Sequence, residues 1–374
     1  MEICRAIDLC SGPAQAGLFP EDVYFVAQDL RRWPELRFPD DRMEIRNIDP
    51  VRLHTLENIW IVSTYLRLKA QGLNVRIVDR LIPDAINICT AESLIYAPSS
   101  HRAFIVAVQA DRATLGWGDY TLVQSPVHAA RTRTCLIDHW PQPGLVGRDP
   151  ARGDDIRRVG YLGYSENVAS LFRGEDFRKS LASLGVDWSI RERPAEWHNY
   201  SDLDLCLAVR GTSNVWIRTK PATKLFHAWI TGCPALLGRE PAYRYWGEPG
   251  RDYFEISNPA EALKTVRMLQ RDPGLYRKVL EHGRAKASEH EEPAVLRQWI
   301  AVISGPVWSA FLRWRTDASG TVMIRAATRR VARLAAPIRR QAFFLRANGI
   351  DGVRRRLRRL WSRALAMADR EPEA

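Results

Sequence analysis

The chain reads as an α/β protein of two doubly wound domains with a basic helical tail. Three observations predict this. Short apolar strands alternate with helical segments in both halves. A stretch dense in proline and glycine, Trp140-Pro141-Gln142-Pro143-Gly144-Leu145, separates the halves. From Gly305 onward the chain holds sixteen arginines, no lysine and five acids, which accounts for +11 of the net charge of +12. The body is therefore close to neutral and the appendage carries the charge. At 374 residues there is enough chain to bury two cores. These breaks divide it into a domain over 1–142, a linker over 143–155, a second domain over 156–304 and a tail over 305–374.

The elements follow in order. Residues 1–22 read as a loose start, with Ser11-Gly12-Pro13 and Phe19-Pro20 as breakers. Val23 to Ala27 is a short strand. Asn58 to Gln71 repeats apolar residues at helical spacing and Gly72 ends it. Val75 to Val78, Ala85 to Cys89, Phe104 to Val108, Thr121 to Val123 and Cys135 to His139 are continuous apolar runs. Such runs suit parallel strands covered on both faces. The second half restarts with a strand from Arg158 to Gly163 and a helix around Glu175 to Leu184. Strands follow from Val186 to Ile190 and from Leu203 to Val209. Then come a helix ended by Gly232, a strand from Pro234 to Leu237 and a helix from Ala260 to Leu269.

The most informative block is Lys220-Pro221-Ala222-Thr223-Lys224-Leu225-Phe226-His227-Ala228-Trp229, closed by Gly232. Two lysines and a threonine open a helical pattern. A helix start leaves free N–H groups and the positive end of the dipole, so cations there are unfavourable unless an anion is bound. Phosphate is the usual anion at such a place. With Glu240-Pro241-Ala242-Tyr243, Asp252-Tyr253-Phe254 and Arg271-Asp272-Pro273 downstream, the block resembles the donor-side motif of nucleotide-sugar glycosyltransferases of the GT-B fold. That resemblance spans about Val159 to Ile303 and is more general over Val23 to Gln142. It implies two facing Rossmann-like domains, with the donor held by the C-terminal one.

The resemblance implies a set of donor contacts. Lys220, Thr223 and Lys224 would meet the diphosphate, and a compact ammonium suits its oxygens. Arg210 ends an apolar strand, where ligands of open α/β sheets gather, and would share the pyrophosphate. Gly163, Tyr164 and Ser165 follow the first strand of the second half, like the family loop that meets diphosphate or sugar. Glu240 would accept hydrogen bonds from ribose or sugar hydroxyls, and Tyr243 would stack on a ring. Glu240 and Glu248 stand eight apart, but Tyr245-Trp246-Gly247 replaces the helix expected between paired glutamates of retaining members. The stereochemical course stays open.

Each site has a plainer alternative. The lysines can cap a solvated helix start, Arg210 can form a structural salt bridge, and Gly163-Tyr164-Ser165 can be an ordinary turn. His139 is the general-base candidate, because imidazole titrates near neutrality and this residue adjoins the linker. It can equally belong to a structural hinge. His54, His101 and His128 are weaker candidates near other element ends. Asn58 and Trp60 open a helix facing the expected cleft, with Trp60 reading as core. Asp202-Leu203-Asp204 matches the metal motif of another glycosyltransferase fold but here reads as a turn into a strand. No metal site and no cofactor beyond the nucleotide-sugar co-substrate are expected. The six scattered cysteines have no Cys-x-x-Cys pair, so a zinc site or disulfide framework is not expected and a cytoplasmic setting is. Met1 to Arg5 does not resemble a secretory signal, and no run near 20 apolar residues is evident.

In the tail, Val353, Leu357, Leu360, Trp361 and Leu365 recur at helical spacing among arginines, and Val322 to Leu345 repeats the arrangement. Pro337 is expected to kink or split this segment. An arginine-flanked apolar face over 320–365 suits an anionic membrane surface. Packing on the body, a disordered tail and nucleic-acid binding are the alternatives, the last not favoured. The combined expectation is a glycosyltransferase moving a sugar from a nucleotide-sugar to a hydroxyl of a glycan or lipid-linked acceptor. Surface polysaccharide synthesis, at the inner face of a membrane, is the natural setting. A non-catalytic scaffold of the same fold and a sugar-nucleotide epimerase are the rivals.

Overall fold

A computed structural model describes residues 3–10, 19, 21–37, 45–53, 55–95, 101–112 and 117–368, with side chains of the last helix described as far as Asn348. His54, the breakers at Ser11-Gly12-Pro13 and the side chains of the 353–365 stripe lie outside the described residues. The first sheet contains β1 (Cys4–Arg5), β2 (Val23–Val26), β3 (Val75–Val78), β4 (Ile86–Thr90), β5 (Phe104–Ala110), β6 (Tyr120–Val123) and β7 (Thr134–Leu136) in the order β1-β7-β6-β5-β4-β2-β3. The second contains β8 (Arg158–Leu162), β9 (Asp187–Arg191), β10 (Leu205–Ala208), β11 (Ala235–Leu237) and β12 (Phe254–Glu255) in the order β12-β11-β10-β8-β9. Every pairing within both sheets is parallel. The buried apolar runs predicted as strands, β4 and β5 above all, lie in the middle of the first sheet, where both faces are covered. This is the expected α/β architecture of two parallel-sheet units followed by a helical tail.

Several expectations need correction. The start is not loose throughout, because Cys4 and Arg5 pair in parallel with Cys135 and Leu136 and form an edge strand. Two residues carry too little pattern to be read as a strand. The stretch Pro273–Arg315 does include a window with mean hydropathy of 1.2, long and apolar enough by composition to cross a membrane. Its side chains give it another use here. Val295, Trp299, Val302, Ile303, Val307 and Phe311 are buried in the core of the first sheet. Residues 292–311 thus return from the second unit and help fill the first core. Asp204 is fully buried. It accepts from Arg148, Arg152 and the backbone N–H groups of Arg157 and Arg158, a structural anchor at the linker.

Within the tail, a short helix over Trp308–Arg315 is followed by a long one, Ser319–Ala368, which runs through Pro337 without being split. Its inner face packs on the first sheet. Ala332 and Ala336 join a cluster with Cys89, Ile105, Ala107 and Trp117. Arg329 is buried and pairs with Asp119, while Arg340 bonds Glu92 at 2.7 Å. Small side chains let the helix approach closely, and the two arginines fix its register. The outer face differs. Met323, Ile324, Val331, Leu334, Ile338 and Leu345 are exposed, from 44% at Leu345 to 74% at Met323.

Candidate active site between the two sheets

The helix Thr223–Thr231 organises the site. Leu225, Phe226, Ala228 and Trp229 bury its broad apolar face in the second core. Gly232 ends it in the left-handed conformation, φ +60°, where a side chain is disfavoured. The residue before the helix is Ala222, which makes no side-chain cap. The Leu225 N–H donates to the Ala222 carbonyl at 2.9 Å, and the positive end of the helix dipole lies at Thr223 and Lys224. Lys224 lies in this turn. Its ammonium donates to the Leu162 carbonyl and sits 5.4 Å from the Tyr161 ring centroid. Burial, reinforced by nearby Arg210, lowers its pKa to about 8.

Lys220 does not belong to this helix. It precedes it by three residues, and its ammonium reaches across to Asp111 at the end of β5, 2.5 Å away. Burial pushes the Asp111 carboxyl up, but Lys220 and Arg112 outweigh it and hold it at about 2. Lys220 is thus a clasp between the two units, already neutralised by a carboxylate. Arg210 donates from Nε to Glu240 Oε1 at 3.0 Å. Burial opposes its charge and Glu240 more than restores it. Glu240 is only 1% exposed, and burial raises its pKa against the pull of Arg210 and Lys220. Among the described residues, its second oxygen, Oε2, and the Tyr243 hydroxyl, both buried, have no hydrogen-bond partner. A buried unsatisfied oxygen is costly, and each is a place where a ligand hydroxyl would be favoured. Tyr243 itself is wholly buried in the second core, edge-on to Tyr253 at 6.2 Å. Its ring has no free face, so in place of the expected stacking role it packs within the second core.

The loop after β8 is tightly specified. Gly163 has φ +148°, and a Cβ there would meet the Tyr161 hydroxyl at 2.8 Å. Tyr164 is exposed and edge-on to Trp197 at 4.8 Å, and the Ser165 N–H donates to Glu192 at 3.0 Å. The short helix Pro241–Trp246 occupies the segment after Glu240 and stops at Gly247, so the segment before Glu248 is helical after all. Glu248 pairs loosely with Arg251 at the surface.

A cavity of about 200 Å³ joins the two units, lined by His139, Trp140 and Gln142 on one side and by Thr223, Lys224 and His227 on the other. His139 Nδ1 lies 2.6 Å from the Trp140 carbonyl. A carbonyl only accepts, so Nδ1 carries the proton and Nε2 keeps its lone pair. Burial lowers the pKa of this imidazole, which favours the neutral, proton-accepting form. Trp60 packs edge-on against it at 4.9 Å and fixes the ring. Asn58 is structural, bonded to Trp33 and the Arg52 carbonyl.

Sequence reasoning missed Asp111 and His227. Asp111 follows the carboxyl end of β5, the position where ligand-facing groups of open sheets collect, and that rule alone would have flagged it. His227 lies one turn after Lys224 on the same helix. It accepts from the Gln142 N–H at 3.2 Å, and its buried Nδ1 has no partner among the described residues. His101 lies on an exposed turn, and His128 lines a different cleft.

No known family profile matches the chain, and no curated protein matches it. Solved structures are similar at low identity. TarM of S. aureus is 10% identical with a TM-score of 0.46, over 60% of this chain and 56% of that one. Sucrose-phosphate synthase from Thermosynechococcus elongatus is 11% identical with a TM-score of 0.39, over 61% and 73%. HepE of Anabaena, solved with UDP-glucose, is 14% identical with a TM-score of 0.36, over 54% and 71%. The similar region therefore spans little more than half of TarM.

Proposed function

We propose that this protein is a glycosyltransferase that moves a sugar from a nucleotide-sugar to a hydroxyl of a glycan or lipid-linked acceptor. The observation that carries the reading is the shared cavity, in which His139 from the first unit faces Thr223 and Lys224 of the second. One wall offers a neutral imidazole with a free lone pair, suited to taking the acceptor proton. The other offers a buried ammonium at an uncapped helix start, suited to the negative charge that grows on a departing diphosphate. Arg210 adds a second cation, and the unpartnered Glu240 oxygen suits a sugar or ribose hydroxyl. Gly163 lets the backbone approach, with Tyr164 and Ser165 at the rim. These cations would serve in place of a metal ion, so full activity in a chelator is expected.

Membrane attachment belongs to the same reading. The exposed residues Ile324, Val331, Ile338 and Leu345 recur every seventh position, with Leu334 beside them, and arginines flank the stripe. Two such cationic faces would repel each other, whereas an anionic membrane surface complements both the charge and the apolar stripe. An enzyme so held would meet a lipid-linked acceptor of surface polysaccharide synthesis from the cytoplasmic side.

Thermal-shift screening of the purified chain against UDP, GDP, CDP and their sugars tests the donor reading. A ligand in excess of its dissociation constant raises apparent stability by mass action. One nucleotide should raise the melting temperature in the wild type and fail to do so in Lys224→Met. No shift with any of them, in a folded sample, removes the reading. Binding to phosphatidylglycerol vesicles, lost in Leu334→Glu/Ile338→Glu, is the expected membrane result.

A further inference from the structure

A second cleft, of about 490 Å³, opens where the C-terminal helix crosses the junction of the two units. Arg112 comes from the end of the first sheet, Arg218 from the second unit, and Arg339 and Arg346 from the helix. His128 and Phe343 complete the lining. Phe343 is fixed edge-on against Trp216 of the second unit at 4.9 Å, so the three elements are in register around the opening.

The charge here is unbalanced. Arg112 shares Glu92 with Arg340 and lies 3.9 Å from an oxygen of Asp111, which Lys220 already engages. Among the described residues, neither Arg218 nor Arg346 has a carboxylate within ion-pair distance. His128 Nε2 is buried and has no partner among the described residues. Burial, with Arg131 and Arg218, lowers its pKa to about 4, so it is neutral at pH 7 and can contribute a hydrogen bond without adding charge. The guanidinium groups of Arg218 and Arg346 repel each other across the cleft, and planar guanidinium forks match phosphate oxygens. The apolar wall of Phe343 and its neighbours leaves room for more than a bare ion.

We propose that this cleft binds a phosphate or diphosphate ester group, at a site separate from the cavity that holds Lys224. The site does not depend on the glycosyltransferase reading. The phosphate could be carried by a soluble ester or by a membrane lipid, and both present the same oxygens to the arginines.

The test uses the full chain carrying Lys224→Met, so that the proposed donor site does not report. Inorganic pyrophosphate is titrated by calorimetry, and vesicles of phosphatidylglycerol or phosphatidylcholine are tested by co-sedimentation. Saturable pyrophosphate binding should weaken about tenfold or more in Arg218→Ala/Arg346→Ala, since hydrogen bonds to charged groups are involved. The charge-preserving pair Arg218→Lys/Arg346→Lys should weaken binding less than the alanine pair does, because charge remains while the guanidinium fork is lost, which separates loss of the site from loss of folding. A lipid source alone would show as phosphatidylglycerol binding that the alanine pair abolishes and pyrophosphate competes away. Pyrophosphate binding unchanged by the alanine pair overturns the proposal. So does absence of pyrophosphate binding together with vesicle binding that the alanine pair leaves intact.

Discussion

At the scale of single residues, the site is governed by a few buried charges. Lys224 must be protonated to hold an anion, and its folded pKa of about 8 lies below the unfolded value. Without ligand, its contribution to stability is full above the unfolded pKa and is lost as pH falls through about 8. An anionic ligand reverses this preference because it favours the charged form. Diphosphate affinity should therefore weaken between pH 7 and pH 9, and the change should vanish in Lys224→Met; titration calorimetry across that range checks it. Arg210 presents a different case. Arg210→Ala would leave the Glu240 carboxylate buried without its cation, at a cost of about 3–5 kcal/mol. Arg210→Ala/Glu240→Gln should recover much of that loss in urea unfolding, because no buried charge remains. Lys224 and Arg210 were legible in the sequence from a helix start and a strand end. Their protonation balance was not, because it depends on burial and on charges as distant in sequence as Asp111 is from Arg210.

At the scale of elements, the C-terminal helix changes meaning most. Arginine spacing suggested a face for anionic surfaces and placed the break at Pro337. The inner face instead covers the first sheet, where Ala332 and Ala336 meet Cys89, Ile105 and Ala107. Alanine among arginines looks like filler in a sequence, yet only small side chains allow that approach. Ala336→Glu would set an unpaired carboxylate against this apolar surface, at a cost of at least ~2 kcal/mol. We expect trypsin to cut the arginine-rich helix faster in that variant, with the second unit keeping its protection. The helix Thr223–Thr231 shows the opposite situation. Its apolar spacing, its glycine stop and its basic entry were all local, so its position in sequence was readable.

At the scale of the molecule, the cleft is set by contacts between distant segments. Lys220 clasps Asp111, Ser125 bonds the Arg218 carbonyl at 2.6 Å, and the Gln142 N–H bonds His227. Residues 292–311 cross back and seal the first core. If Lys220 is a clasp, Lys220→Ala should weaken nucleotide binding by less than about fivefold, the scale of a partly exposed ion pair. Lys224→Met should lose far more in the same titration. Equal losses would return Lys220 to the diphosphate.

The sequence by itself determined the α/β class, the alternation that builds two parallel sheets, most strand positions and the identity of the helix start that faces the cleft. These follow from local pattern: apolar runs, helical spacing, and glycine and proline punctuation. Tertiary structure alone decided that Lys220 is neutralised by Asp111, that Tyr243 packs in the second core, and that half the basic tail packs on the first sheet. It also decided that His139 lines the same cavity as Lys224. Each of these is a contact across more than twenty residues of chain or a matter of burial, and pairing and desolvation energies depend on neighbours that local pattern does not name.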